Sequence, residues 1–341
     1  TQRGTDIDGE AAGDRSGRSV SLSSDGSVVA VGAPSGLVNS NGPDAGHVRL
    51  HAWDGSSWTQ RGADIDAEAD GDLSGTSVSL SSDGSVVAIG AIRNDGNGAN
   101  AGHVRLYAWD GSNWMQRGAD IDGEAAGDES GFSVSLSSDG SVVAIGAQYA
   151  DGNSTDAGHV RLYTWDGSSW LQRGTDIDDE PWRSGYSVSL SSDGSVVAIG
   201  APLNGPMAGH VRLYAWDGSN WTQRGTDIDG EAAGDLSGLS VSLSSDGSVV
   251  AIGAPWNDAH FGSYSYAGHV RIFTLPPSES LAGINLADTS SLIDAITTIT
   301  AAIEKVSDQR AEYGALQNRL NYTISNLLGT VEATEVSRSR I

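Results

Sequence analysis

One unit is written five times in this chain, and that repetition limits the folds open to it. The string Ser-Ser-Asp-Gly-Ser-Val-Val-Ala places its Asp at positions 25, 83, 139, 193 and 246, so the period shortens from 58 to 56, 54 and 53 residues. A unit of this length cannot bury its own apolar face. It must stack on neighbours of its own kind.

Each period contains four strand-like runs. In the second they are Ser77–Ser81, Ser85–Ala91, His103–Trp109 and Trp114–Ile121. The first alternates apolar and small polar residues. The second is almost continuously apolar, as in a strand buried on both faces. Asp83-Gly84 and Asp110-Gly111 supply tight hairpin turns. Four antiparallel strands per repeat predict an all-β five-bladed β-propeller over residues 1–280, with repeats at about 1–58, 59–114, 115–170, 171–221 and 222–280. The array opens on a fourth-type strand, Thr1–Asp8, and closes on a third-type strand, Gly268–Leu275. Pairing the two would complete the fifth blade and leave no free sheet edge, so a closed ring is expected.

The chain carries a net charge of −25, of which −2 falls on residues 281–341 and −23 on residues 1–280. A surface that acidic repels phosphate, which argues against nucleic-acid and anionic-membrane partners. There is no cysteine, so disulfide and thiolate chemistry are excluded.

Three recurrent features invite a functional reading. Asp6-Ile7-Asp8-Gly9-Glu10, with Asp14 beyond it, could gather carboxylates around a hard cation. Its spacing does not fit a calcium loop, and an acidic solvated loop between blades is the simpler reading. One His opens each third strand: His47, His103, His159, His210 and His269. Third strands lie away from the propeller axis, so the five are too dispersed to share one ion, and no metal or cofactor is expected. Trp pairs flank the last hairpin of four repeats: Trp53 and Trp58, Trp109 and Trp114, Trp165 and Trp170, Trp216 and Trp221. They can lock that hairpin or form a rim platform for a glycan or other surface ligand. No Gly-x-Ser-x-Gly elbow, His-Glu-x-x-His or phosphate loop occurs, and the single lysine is Lys305, so no enzyme is expected.

Residues 281–341 share nothing with the repeats. Alternating steps of four and three link Leu292, Ile296, Ile299, Ile303, Val306, Arg310, Tyr313, Gln317, Leu320, Ile324, Leu327 and Val331. That heptad seam predicts a long coiled-coil helix, on the order of 60 Å. Its apolar stripe needs a partner helix. Arg310 and Gln317 interrupt the stripe, as register-setting residues do.

The segments Gln309-Arg310, Gly314-Ala315-Leu316-Gln317-Asn318-Arg319-Leu320, Thr323-Ile324-Ser325-Asn326-Leu327 and Ser339-Arg340-Ile341 closely resemble the C-terminal conserved region of bacterial flagellin. The resemblance covers about a fifth of the chain and extends to polar as well as heptad positions. It implies a structural subunit of the flagellar filament, extracellular, whose helix packs against N-terminal helices of its own chain and against other flagellin subunits. Those N-terminal helices are absent here and Thr1 falls inside a repeat, so the chain reads as a piece of a longer protein, with the propeller as its surface-exposed variable domain. The repeats also resemble the propellers of integrin α subunits, through Gly131-Phe132-Ser133-Val134, Gly32-Ala33-Pro34 and the Gly-His-Val-Arg-Leu-Tyr strand. That family often carries a calcium loop where this chain has only Ser-Ser-Asp-Gly, so the resemblance implies no calcium site. An extracellular adhesin or lectin-like propeller on a coiled-coil anchor is the alternative reading.

Overall fold

The computed structural model describes residues 1–35, 44–151, 155–178, 182–258 and 267–275. The seam helix from Leu292 to Val331 lies outside the described residues. Residues Thr1–Ser278 form one compact unit and Glu279–Ile341 another.

The first unit is a succession of antiparallel sheets, one per repeat. In the first blade β1 (Ser19–Leu22) pairs with β2 (Val28–Ala33), and β2 pairs with β3 (His47–Trp53). The predicted fourth strand is split. Its first piece, β4 (Trp58–Gln60), and its second, β5 (Ile65–Asp66), both pair with β3. His51 faces Gln60 and Val48 faces Ile65, so residues 61–64 stand opposite Arg49 and Leu50 alone. This is a two-residue bulge in an outer strand, and it recurs in the next three blades.

The turn between the first two strands is built by Ser and Asp rather than by Gly alone. The Ser23 hydroxyl donates to Asp25 Oδ1 at 2.8 Å, the Ser27 N–H donates to the same oxygen at 2.9 Å, and the Val28 N–H donates to Ser23 Oγ at 2.9 Å. The first strands lie innermost. Their ends are tied from blade to blade: the Ser24 N–H donates to the Ser82 carbonyl, Ser82 to Ser138, Ser138 to Ser192 and Ser192 to Ser245, at 2.8–2.9 Å. Leu22, Leu80, Leu136, Leu190 and Leu243 converge beside these ties. The arrangement is propeller-like.

Each junction is an apolar core between one face of a blade and the opposite face of the next. Val28, Ala30, Val48 and Leu50 of the first blade pack on Val78, Leu80, Val87 and Ile89 of the second. Three further junctions repeat this. The second strands approach the next blade so closely that only glycine fits. A Cβ on Gly90 would collide with the Gly131 carbonyl of the following blade.

The expected closure between Thr1–Asp8 and Gly268–Leu275 is not formed. Among the described residues, strand His269–Thr274 pairs only with Val249–Ala254, and residues 1–8 form no ladder. The faces that would meet are open. Val20 is 65% and Leu22 58% exposed, against 9% and 8% for their counterparts Val78 and Leu80. Val270 and Ile272 are 66% and 71% exposed, where Val48 and Leu50 are fully buried. Residues 1–8 make the forward contact of an outer strand, with Arg3 donating to the Gly26 carbonyl and Trp58 Nε1 donating to the Arg3 carbonyl, and so stay with the first blade. The array does not curve far enough to bring that blade against the fifth, which leaves both faces open.

Gly90→Ala is therefore expected to destabilise the array by about 1–3 kcal/mol through overpacking. Gly253→Ala is its control, because a Cβ there meets only the Ser240 side chain and no neighbouring blade. Thermal melts should show a clear loss for the first and a small one for the second. Equal losses would mean that the fifth face is also covered.

Candidate functional site at the blade junctions

The recurrent bulge supplies two side chains to different partners. Arg61, its first residue, reaches forward onto the second blade; Asp64, its last, turns back toward His47 of its own blade.

The forward contact is a latch. The Arg61 guanidinium lies 4.8 Å from the Trp109 ring centre and 5.6 Å from that of Trp114. Its Nη1 donates to the Gly84 carbonyl at 2.9 Å, and Trp114 Nε1 donates back to the Arg61 carbonyl at 2.7 Å. Arg3, Arg117 and Arg173 repeat this on the other Trp pairs. Within each pair the ring centres lie 5.3–5.4 Å apart in tilted or edge geometry, and the two residues face each other across the hairpin. Burial lowers the pKa of Arg61, with Asp83 acting the other way. All eight Trp residues read as a possible ligand platform thus sit in blade-to-blade latches, with four indole N–H groups already engaged. Nothing in the Gln-Arg-Gly string announced this; the signal was its fixed place after each Trp pair.

The backward contact builds a second cluster. Glu68, from the segment after β5, meets His103 and Asp120 of the second blade, with one ligand atom from each within 4.8 Å of the others. His103 Nδ1 lies 3.9 Å from Glu68 Oε2 and 4.0 Å from Asp120 Oδ2. The ring is 1% exposed, and neither nitrogen has a hydrogen-bond partner. Burial holds the His103 pKa below the ordinary range, and Arg105 pushes it the same way, so the imidazole is neutral near pH 7. The remaining carboxylate oxygens are held from behind. Gln116 Nε2 donates to Asp120 Oδ1 at 2.6 Å, and Arg105 Nη1 stands 3.6 Å from Glu68 Oε1.

Glu10, His47 and Asp64 form the same cluster one junction earlier, and Glu124, His159 and Asp176 one junction later. At the fourth junction His210 meets Asp227 and Asp229, but Arg212 grips Asp227 through two bonds of 2.9 and 2.7 Å. His269 stands 3.6 Å from Glu231. The five His residues do not converge on one ion; each has its own neighbouring carboxylates instead. Of the acidic Asp-Ile-Asp-x-Glu segment, the first Asp enters the cluster of its own blade and the terminal Glu enters the next one, as Asp64 does with His47 and Glu68 with His103.

Residues 296–341 match the bacterial flagellin C-terminal helical region. Polar flagellin C of Vibrio parahaemolyticus is 26% identical over 220 residues, covering 62% of this chain and 52% of the relative. Flagellin A of Vibrio cholerae is 43% identical over 58 residues, covering 17% of this chain and 15% of the relative. The chain therefore spans about half the length of the first relative and much less of the second. Among solved structures, a protein assigned as a 6-phosphogluconolactonase from Bacteroides uniformis superposes with a TM-score of 0.53 at 12% identity, over 77% of this chain and 69% of that one. At that identity the likeness speaks for the fold alone.

Two predictions follow from the junction chemistry. Arg117→Ala removes a ring contact and a bond to the Gly140 carbonyl, and should cost about 2 kcal/mol in thermal melts; Arg117→Lys should recover only part, since a point charge cannot lie flat on two indoles. The second concerns acid. The Asp25 pKa is lowered to about 2 by the Ser27 hydroxyl, the Ser27 N–H and the Ser23 hydroxyl, and that of Asp246 to about 2, led by the Ser244 hydroxyl. The unfolded value is about 3.9, so these carboxylates stabilise the fold above about pH 4 and lose that contribution as pH falls toward 2. Melting temperature should hold near neutrality and drop below about pH 4, and Asp25→Asn should flatten the drop.

Proposed function

We propose that this chain is part of a flagellar filament subunit, in which the β-array is displayed outward and the residues after it pack into the filament. The observation that carries the reading is the match of residues 296–341 to the flagellin C-terminal helical region. The flagellin relatives support a filament role in general. The helix would contribute the seam from Leu292 to Val331, partnered by N-terminal helices of the same subunit and by neighbouring subunits. On this reading the location is extracellular, on the flagellum, and the β-array works as a displayed body rather than as an enzyme. Among the described residues no helix is long and apolar enough to cross a membrane.

A lectin-like rim is the weaker reading. Sugar-binding aromatics need an open ring face and free polar edges. Here arginines lie over the Trp pairs and indole N–H groups donate to backbone carbonyls.

The seam tests the proposal. Ile303→Asp and Leu320→Asp each place a carboxylate in an apolar helix–helix contact, which costs several kcal/mol when unpaired. In cells producing the intact subunit, either variant should abolish filaments seen by electron microscopy. The far-ultraviolet signal and melting of the β-array should stay unchanged. Normal filaments from both variants would remove the helix as the assembly surface and overturn the reading.

A further inference from the structure

We propose that the blade junctions bind divalent transition-metal ions of the zinc type, each held by the Nδ1 of a buried His, a Glu oxygen from the segment leading into that blade and an Asp oxygen from the bulge of the same blade. At the second junction the ligands are Glu68, His103 and Asp120. The first and third junctions supply the same three residue types from the same places.

Three observations converge on this. The first is the imidazole itself. Burying a ring with both nitrogens unbonded is costly, yet His47 and His103 both do so at 1% exposure. Such a group repeated in one register points to a partner that protein atoms do not provide. The second is orientation. In each carboxylate one oxygen is already engaged, Asp120 Oδ1 by Gln116 and Glu68 Oε1 by Arg105, and the other faces Nδ1. The same Gln-to-Asp bond is made by Gln60 on Asp64. Outer partners of this kind fix the ligands of metal sites. The third is access. The His is sealed inside, but Glu68 and Glu124 are exposed, so an ion can enter past the glutamate.

The donor set selects the ion. One imidazole nitrogen and two carboxylate oxygens suit zinc and its first-row neighbours, with water completing the shell. Calcium and magnesium prefer all-oxygen sets with more protein ligands. Ligands about 2.0–2.1 Å from zinc in a tetrahedron lie about 3.4 Å apart. The observed 3.9–4.0 Å needs only a small inward movement of the exposed glutamate. At the fourth junction Arg212 neutralises Asp227, so that site is excluded and three ions per chain are expected. Because Glu68 follows the outer strand of the first blade and His103 opens the third strand of the second, the ion there would join two blades, as would the one at Glu124 and His159.

The experiment uses the full chain, stripped with chelator and titrated with zinc chloride near pH 7.5. Calorimetry and metal analysis after desalting should give three zinc ions per chain. The melting temperature should rise by about 5 °C or more with zinc, and not with calcium. Asp120→Asn keeps the oxygen that accepts from Gln116 and replaces only the ligand oxygen. It should reduce the count from three to two, as should Glu68→Gln, with the metal-free melting temperature little changed. A count below one would overturn the proposal. So would a count that neither substitution lowers, since zinc would then be held on the acidic surface at large.

Discussion

The bulge in the outer strand is the element on which the array depends. Two extra residues between Gln60 and Ile65 break the hairpin, and the break serves both neighbours. Its first residue, Arg61, becomes the contact that grips the next blade. Its last, Asp64, closes on His47 of its own. A continuous strand would alternate its side chains between two faces and could send neither out along the rim. Sheet geometry within a blade and cohesion between blades thus come from a single local irregularity.

Beneath the rim, cohesion is apolar and close. Val28 and Leu50 on one side meet Leu80 and Ile89 on the other, and glycines such as Gly90 let the backbones approach. Small residues do double duty here. Ser77 leaves room for the next blade and donates its hydroxyl to the Gly131 carbonyl. The acidic surface is carried at little cost because many Asp residues are already satisfied by turn N–H and hydroxyl groups, as Asp25 is.

One sheet per repeat and the order of its first three strands were legible in the sequence because they rest on local signals: alternation in Ser77–Ser81, a buried run at Val86–Ala91, and Asp-Gly at the turns. The junction clusters were not. Glu68, His103 and Asp120 are 35 and 17 positions apart and come from two blades. No spacing rule joins them without the register of β5 on β3 and its counterparts. The Trp pairs lie across a hairpin, but their arginine partners come from the preceding outer strand, some 50 residues earlier. The closed ring was inferred from two incomplete ends. Complementary strand types establish that pairing is geometrically conceivable, and say nothing of whether the curvature of five blades brings the ends together. Val20 and Ile272, open to solvent, mark where that inference stopped being local.

The identity of the junctions has a genetic consequence. Every blade presents the same face forward and the same face back, so removing or duplicating one whole repeat recreates an interface that already exists. An array of this kind can change length by recombination between near-identical repeats without any new contact having to evolve. Point changes inside a repeat face the opposite situation, because Gly90 or Arg61 must suit the neighbour as well as its own blade. Such a domain is rigid toward substitution and permissive toward copy number, and its variation would be counted in blades.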